Sequence, residues 1–123
     1  MQFKKDDKII KKYKLFATIA GHMGDGNFHI IPLMDIEKKS ERDKILPAMK
    51  EVNDLVLEYK GSLSGEHNDG LVRGPFLEKM YGPKFYAILQ ETKKIFDPQN
   101  IFNPHKKTDA DWTYSKKHIR ERF

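Results

Sequence analysis

Two histidines, His22 and His29, bracket the stretch GHMGDGNFH at residues 21–29, and a third, His67, follows a glutamate in SGEH at residues 64–67. Imidazole and carboxylate are side chains that ligate divalent cations, and imidazole also trades protons near neutral pH. Between the first two histidines lie Gly24, Asp25 and Gly26, all turn residues. If the flanking segments pair as a β-hairpin with His22 opposite His29, a six-residue loop joins them. Directly opposed Cβ atoms then stand about 4.5–5.5 Å apart, and both imidazoles can converge on one ion at about 2.0–2.1 Å. A pair of histidines at a turn is equally an exposed, unliganded arrangement, so the pair alone does not establish a site.

Glu66 and His67 add to it. Consecutive residues of an extended chain point to opposite sides, so one of the two can ligate while its neighbour stands beside the ion. A His, His, Glu set leaves coordination positions open, which is the arrangement of catalytic rather than structural metal sites. A spare histidine beside such an ion is a natural general base. The plain alternative is a solvated polar loop.

Other chemistries are excluded by the same residues. GHMGDG matches neither GxGxxG nor a P-loop, and no lysine follows it as GK[ST] requires. It leads into a strand, so no helix N-terminus is aimed at an anion. Its glycines are expected to supply the positive φ of a hairpin turn. There is no cysteine, hence no disulfide, thiolate zinc site or Fe–S cluster on this chain. The HExxH pattern of helical zinc proteases is missing.

The elements that must carry these side chains follow from pattern. KLFATIAG and NFHIIPLMD flank the loop and predict a β-hairpin over residues 15–34, with Pro32 near an edge or bulge. Ile45, Met49, Val52, Val56 and Tyr59 form one helical stripe and predict a helix over residues 40–60. Ser40 and Asp43 resemble a capping box, Pro47 should kink or break the helix, and Gly61 sits where a glycine stop belongs. SLSGEHNDGLVRG reads as a short strand running into a polar loop. A short helix is expected over residues 75–80, broken at Tyr81 and Gly82. Pro83 opens a further helix with Phe85, Ile88, Leu89, Thr92, Ile95 and Phe96 on one side. The order β-β-α-β-α predicts an α+β fold, a small antiparallel β-sheet with helices packed on one face. Residues 1–14 read as a basic N-terminal segment, 15–107 as the folded domain, and 108–123, without clear periodicity, as a basic tail or linker.

At 123 residues the chain has the length of one domain. The net charge of +5 sits on its ends: residues 1–14 hold six lysines against two aspartates, and residues 104–123 six basic against three acidic residues. The stretch between carries eleven basic and thirteen acidic residues. A nucleic-acid domain places its basic stripe on ordered elements with interleaved aromatics, so nucleic acid is not the expected partner. No apolar run approaches the ~18 residues of a membrane span, and the N-terminus has no apolar signal-peptide core. A cytoplasmic location is the expectation.

Three segments together resemble one family. GHMGDGNFH is similar to the GHxGDGNxH motif of FAD-linked 2-hydroxy-acid dehydrogenases and oxidases, flavoproteins of the vanillyl-alcohol-oxidase type that include D-lactate, glycolate and D-2-hydroxyglutarate dehydrogenases. SGEHNDGLVR resembles their GEHGIGxxK segment and FDPQNIFNPHKK their FDPxxxxNPGK ending, in the family's order across residues 21–107. The resemblance covers only the C-terminal part of such an enzyme, so the FAD-binding domain that precedes it is expected in a longer protein.

By position, the resemblance implies His22, His29 and Glu66 as ligands of a divalent metal, Zn or Mn, and His67 as the catalytic base. It implies Arg73, where the family has lysine, beside the substrate carboxylate or in a structural ion pair, and Asn103 against the flavin. Asn68 and Asp69 replace the family's Gly-Ile, and His105 replaces the glycine of NPGK. Ile31 stands where D-2-hydroxyglutarate dehydrogenases carry a polar, substrate-holding residue. The implied reaction oxidises a small D-2-hydroxy acid to the 2-oxo acid with hydride passing to FAD, which an upstream domain binds. HNDG and the extended C-terminus are similar to the long multidomain members, in which an Fe–S domain or subunit serves as electron acceptor. The rival functions are a metal-dependent hydrolase with a His/His/Glu zinc site and a non-catalytic interaction module that retains the motifs.

Overall fold

The computed structural model of the chain describes residues 3–120, so the extreme ends of the basic N-terminal segment and of the basic tail lie outside the described residues. The chain divides into two compact units, residues 1–61 with 120–123, and residues 62–119.

The first unit opens with α1 (Phe3–Lys12), which lies in the segment expected only to be basic. Its charges support a helix: Asp7 and Lys11 pair one turn apart at 2.5 Å, and lysines in the last turn oppose the negative end of the helix dipole. The ammonium of Lys12 and the hydroxyl of Tyr13, the latter at 2.7 Å, both donate to Glu51 and tie α1 to α2 (Lys39–Glu58).

Between them β1 (Phe16–Ala20) and β2 (His29–Leu33) form the expected antiparallel hairpin. Pro32 lies opposite Ala17. The sheet has two strands among the described residues, so each is an edge, where a missing N–H is tolerated.

Helix α2 departs from expectation in three details. Its N-cap is Lys38, and neither Ser40 nor Asp43 caps it; Asp43 instead pairs with Lys39 at 2.6 Å. The helix continues through Pro47, which lacks the N–H of one intrahelical bond. Burial centres on Ala48 and Leu55, both 7 % exposed, so the face is turned slightly from the predicted stripe and leaves Tyr59 on the surface.

The C-terminus of α2 is closed by paired hydrogen bonds, Gly61 N–H to Val56 C=O and Lys60 N–H to Leu57 C=O, both 2.9 Å. In this arrangement the left-handed residue is Lys60, at φ 57°, and not Gly61. A non-glycine side chain there carries backbone strain. Lys60→Gly should therefore raise stability by about 0.5–1 kcal/mol, measured as an upward shift of the urea midpoint with unchanged slope.

In the second unit the expected third strand is absent. Ser62 and Ser64 satisfy each other instead: the Ser64 N–H donates to Ser62 Oγ at 3.3 Å, and that hydroxyl donates to Ser64 C=O at 2.9 Å. Such local side-chain bonds compete with strand pairing. Leu63 still turns inward and donates its N–H to Met80 Sδ at 3.3 Å.

The polar loop then leads into α3 (Gly70–Arg73), a 3-10 turn over Gly74–Phe76, and α4 (Leu77–Tyr81). Gly82, at φ 82°, makes the expected break, and Pro83 starts α5 (Pro83–Phe96). Leu77 is the fully buried large side chain among the described residues, at 1 % exposure.

Helix α5 places its apolar residues on one side as patterned but buries none of them fully; Ile95 and Phe96 are 75 % and 81 % exposed. It anchors through another face. Tyr86 hydroxyl lies 3.1 Å from Thr108 C=O and Gln90 Nε2 donates to the same carbonyl at 3.0 Å. Within the segment read as tail or linker, residues 112–117 form α6 (Trp112–Lys117), and Ser115 on it is buried. The α+β class with its antiparallel sheet holds; the element order differs because the third strand is replaced by turns and α1, α3 and α6 are added.

Candidate functional site

The hairpin places His29 at the first position of β2, opposite Ala20. His22 therefore does not face His29 across the ladder. It lies beyond the last pair, at the entrance to the 3-10 turn Met23–Asp25. The tight loop forces this: His22 C=O accepts both Asp25 N–H at 2.9 Å and Asn27 N–H at 3.2 Å. Gly21 is required, since a Cβ there would lie 2.4 Å from Asn27 O and its φ is 134°. Gly26 supplies the other positive φ, at 69°. Gly24 has open space and no positive φ, so the turn does not demand a glycine at that position.

Strand alternation puts His29, Ile31 and Leu33 on one face, together with their partners Ala20, Thr18 and Phe16. That face is apolar except for an imidazole and a hydroxyl. His29 is half-buried and His22 exposed.

In the second unit, Glu66 and His67 do not point apart. The backbone bends over residues 65–67 instead of extending, and His67 Nε2 meets Glu66 Oε1 at 2.8 Å. The expectation of opposed directions rested on extended geometry, and the bend removes it. Asn68 follows at φ 64°, a conformation that asparagine tolerates better than most side chains. Its Oδ1 accepts the Asp69 N–H at 2.8 Å, and its carbonyl accepts Arg73 Nη1 at 2.6 Å. Arg73 thus closes the loop after His67. The Asn-Asp pair that departs from the family's Gly-Ile supplies both the left-handed residue and the turn's acceptors.

Asn103 is exposed, at φ 49°, in the loop after α5. The loop is organised by Asp97, whose carboxylate accepts the N–H groups of Ile101 and Phe102, each at 2.9 Å, and pairs with Lys93. The Lys93 ammonium and these amides hold the Asp97 carboxyl below the usual range, against the opposing effect of burial. An aspartate before proline, able to bond its own backbone downstream, is the sequence signal for this loop. Asp109 does similar work: its Oδ2 accepts Asn100 Nδ2 and His105 N–H, both at 2.8 Å.

No helix among the described residues is long and apolar enough to cross a membrane. The chain can thus present two imidazoles on one hairpin, and a hydrogen-bonded carboxylate–imidazole pair on one loop. These groups can bind a cation and move a proton.

Residues 3–107 match the family described as FAD linked oxidases, C-terminal domain. The chain is 35 % identical over 98 residues to glycolate oxidase subunit GlcD of Bacillus subtilis, covering 80 % of this chain and 21 % of that protein. It is 32 % identical over 90 residues to a probable mitochondrial D-lactate dehydrogenase of Danio rerio, covering 73 % of this chain and 18 % of that one. To a D-2-hydroxyglutarate dehydrogenase of Haemophilus influenzae it is 33 % identical over 98 residues, covering 80 % and 9 %. The chain thus spans about a fifth or less of the length of these relatives.

Proposed function

The chain belongs to the family of FAD linked oxidases, C-terminal domain, and on that premise we propose that it forms the substrate-side part of an enzyme that oxidises a small D-2-hydroxy acid to its 2-oxo acid. The observation that carries the reading is the position of His22, His29, Glu66 and His67, all inside the family-matched residues, with Glu66 and His67 hydrogen-bonded at 2.8 Å.

His22, His29 and Glu66 would hold a divalent cation, and two imidazoles with a carboxylate are a donor set that suits zinc or manganese. Such a cation, when bound, supplies Lewis-acid polarisation of the substrate's oxygens. FAD, carried by the family's FAD-binding domain, supplies the hydride acceptor. His67 takes the hydroxyl proton. The contact of its Nε2 with Glu66 at 2.8 Å orients the ring for that step. Arg73 has a guanidinium fork suited to the substrate carboxylate, and its Nη1 is also tied to Asn68 C=O. Asn103 would lie against the flavin. Ile31, on the face of His29, gives that side of the substrate an apolar neighbour and favours a short, uncharged side chain on the 2-hydroxy acid.

The test is direct. The protein joined to its FAD-binding domain should be bleached anaerobically by one of a panel of short D-2-hydroxy acids and not by the L-enantiomers. The 123-residue chain by itself should not bind FAD stoichiometrically at micromolar concentration. Absence of bleaching by every D-2-hydroxy acid tried would refute the proposed reaction; tight FAD binding by the chain alone would refute the division of labour.

A further inference from the structure

The family-matched stretch ends at residue 107, yet the chain just beyond it is fastened to the strip that follows Glu66 and His67. Ser115 Oγ, on α6, lies 2.7 Å from Leu71 C=O and 2.9 Å from Asp111 C=O, one proton shared between two acceptors. The residue is 6 % exposed. Gly74 packs so closely beneath Ala110 that a Cβ on it would lie 2.7 Å from the Ala110 Cβ. Trp112 meets Phe76 edge-to-face, with centroids 5.3 Å apart. At the start of the strip, Lys107 reaches Asp69 at 3.3 Å.

We propose that residues 108–119 are a brace that positions the loop bearing Glu66 and His67, with Ser115 as its principal positioning residue. The physical need is plain. Helix α3 has four residues, far below the length at which a helix sustains itself. Its last carbonyls have no partner within the helix, and the Ser115 hydroxyl supplies one to Leu71. Asp69, which Lys107 reaches immediately before the brace, is two residues from His67. The brace is itself fixed: Asp111 Oδ2 caps α6 by accepting Tyr114 N–H at 2.7 Å, and the Tyr114 ring has His105 and His118 as ring partners, each with its centroid 4.1 Å away. The functional consequence rests on His67 as base; the mechanical claim does not.

Hydrogen exchange of the full chain separates the two. Ser115→Ala should quicken exchange at residues 69–73 roughly tenfold, the effect of one lost hydrogen bond, while the amides of α5 keep their protection. In the assembled flavoenzyme the same variant should lower kcat with KM changed less than about twofold, the mark of a mispositioned base. If Ser115→Ala does not fold, Trp112→Leu, which keeps the hydroxyl and removes the ring contact, is decided by the same exchange measurement. Unchanged exchange at 69–73, or equal quickening of α5, overturns the brace. A wild-type enzyme that no hydroxy acid reduces would refute the reaction and leave the exchange result standing.

Discussion

His67→Ala slows reduction of the flavin by substrate roughly 10²–10⁴-fold, the usual effect of removing a general base. On the proposed assignment the variant should keep any bound metal and bind substrate with little change, because the imidazole is given the proton and not the cation. Stopped-flow reduction of the flavoprotein by substrate carries the diagnosis. A variant reduced at the wild-type rate would leave His67 as a loop residue only. The bend that brings His67 Nε2 to Glu66 sharpens the expectation. His67→Gln, which can still donate one hydrogen bond to the carboxylate, should be as slow as alanine, because the lost function is proton acceptance.

Glu66→Ala has the opposite profile. If Glu66 is a ligand as proposed, the variant should weaken metal binding by more than the roughly 10–100-fold attributed to residues that only support a ligand, and activity should fall with metal content. Elemental analysis after dialysis, with flavin absorbance as the control for intact FAD binding, reads it directly. His22→Ala and His29→Ala should behave alike. Wild-type metal content in all three variants would remove the ligand assignment. Substrate affinity should fall in Glu66→Ala and not in His67→Ala, so the two neighbours are distinguished by which constant moves.

The hairpin was legible because turn residues and strand formers alternate around it, and α2 because an apolar residue recurs every three or four positions. Register was not legible. Placing His22 across from His29 is reasonable from spacing alone, but Gly21 at φ 134° and the double hydrogen bond to His22 C=O use two residues of the first strand to enter the turn. Helix α1 was hidden by its charge: ten residues with five lysines read as a solvated segment until Asp7, Lys11 and the Glu51 contacts are seen. The strand expected near Leu63 failed because its flanking serines bond locally. The ordering of residues 108–119 rests on a serine hydroxyl, a glycine contact and ring pairs reached across the chain, none of which has a period. The local geometry of Glu66 and His67 was not legible, because one bend at residues 65–67 decides where two adjacent side chains point.

Among the described residues of its unit, Leu77, at 1 % exposure, shares a small apolar core with Leu63, and that thinness carries over to ligation. Where few side chains are fully withdrawn from water, the folded population is set by small free energies. Anything that binds the folded form alone then stabilises it by mass action, by about 2.7 kcal/mol at a ligand concentration one hundred times its dissociation constant. For such a unit, occupancy and folding are one equilibrium observed from two sides. Conditions that strip a ligand from such a unit also lower the concentration of the form able to bind it again.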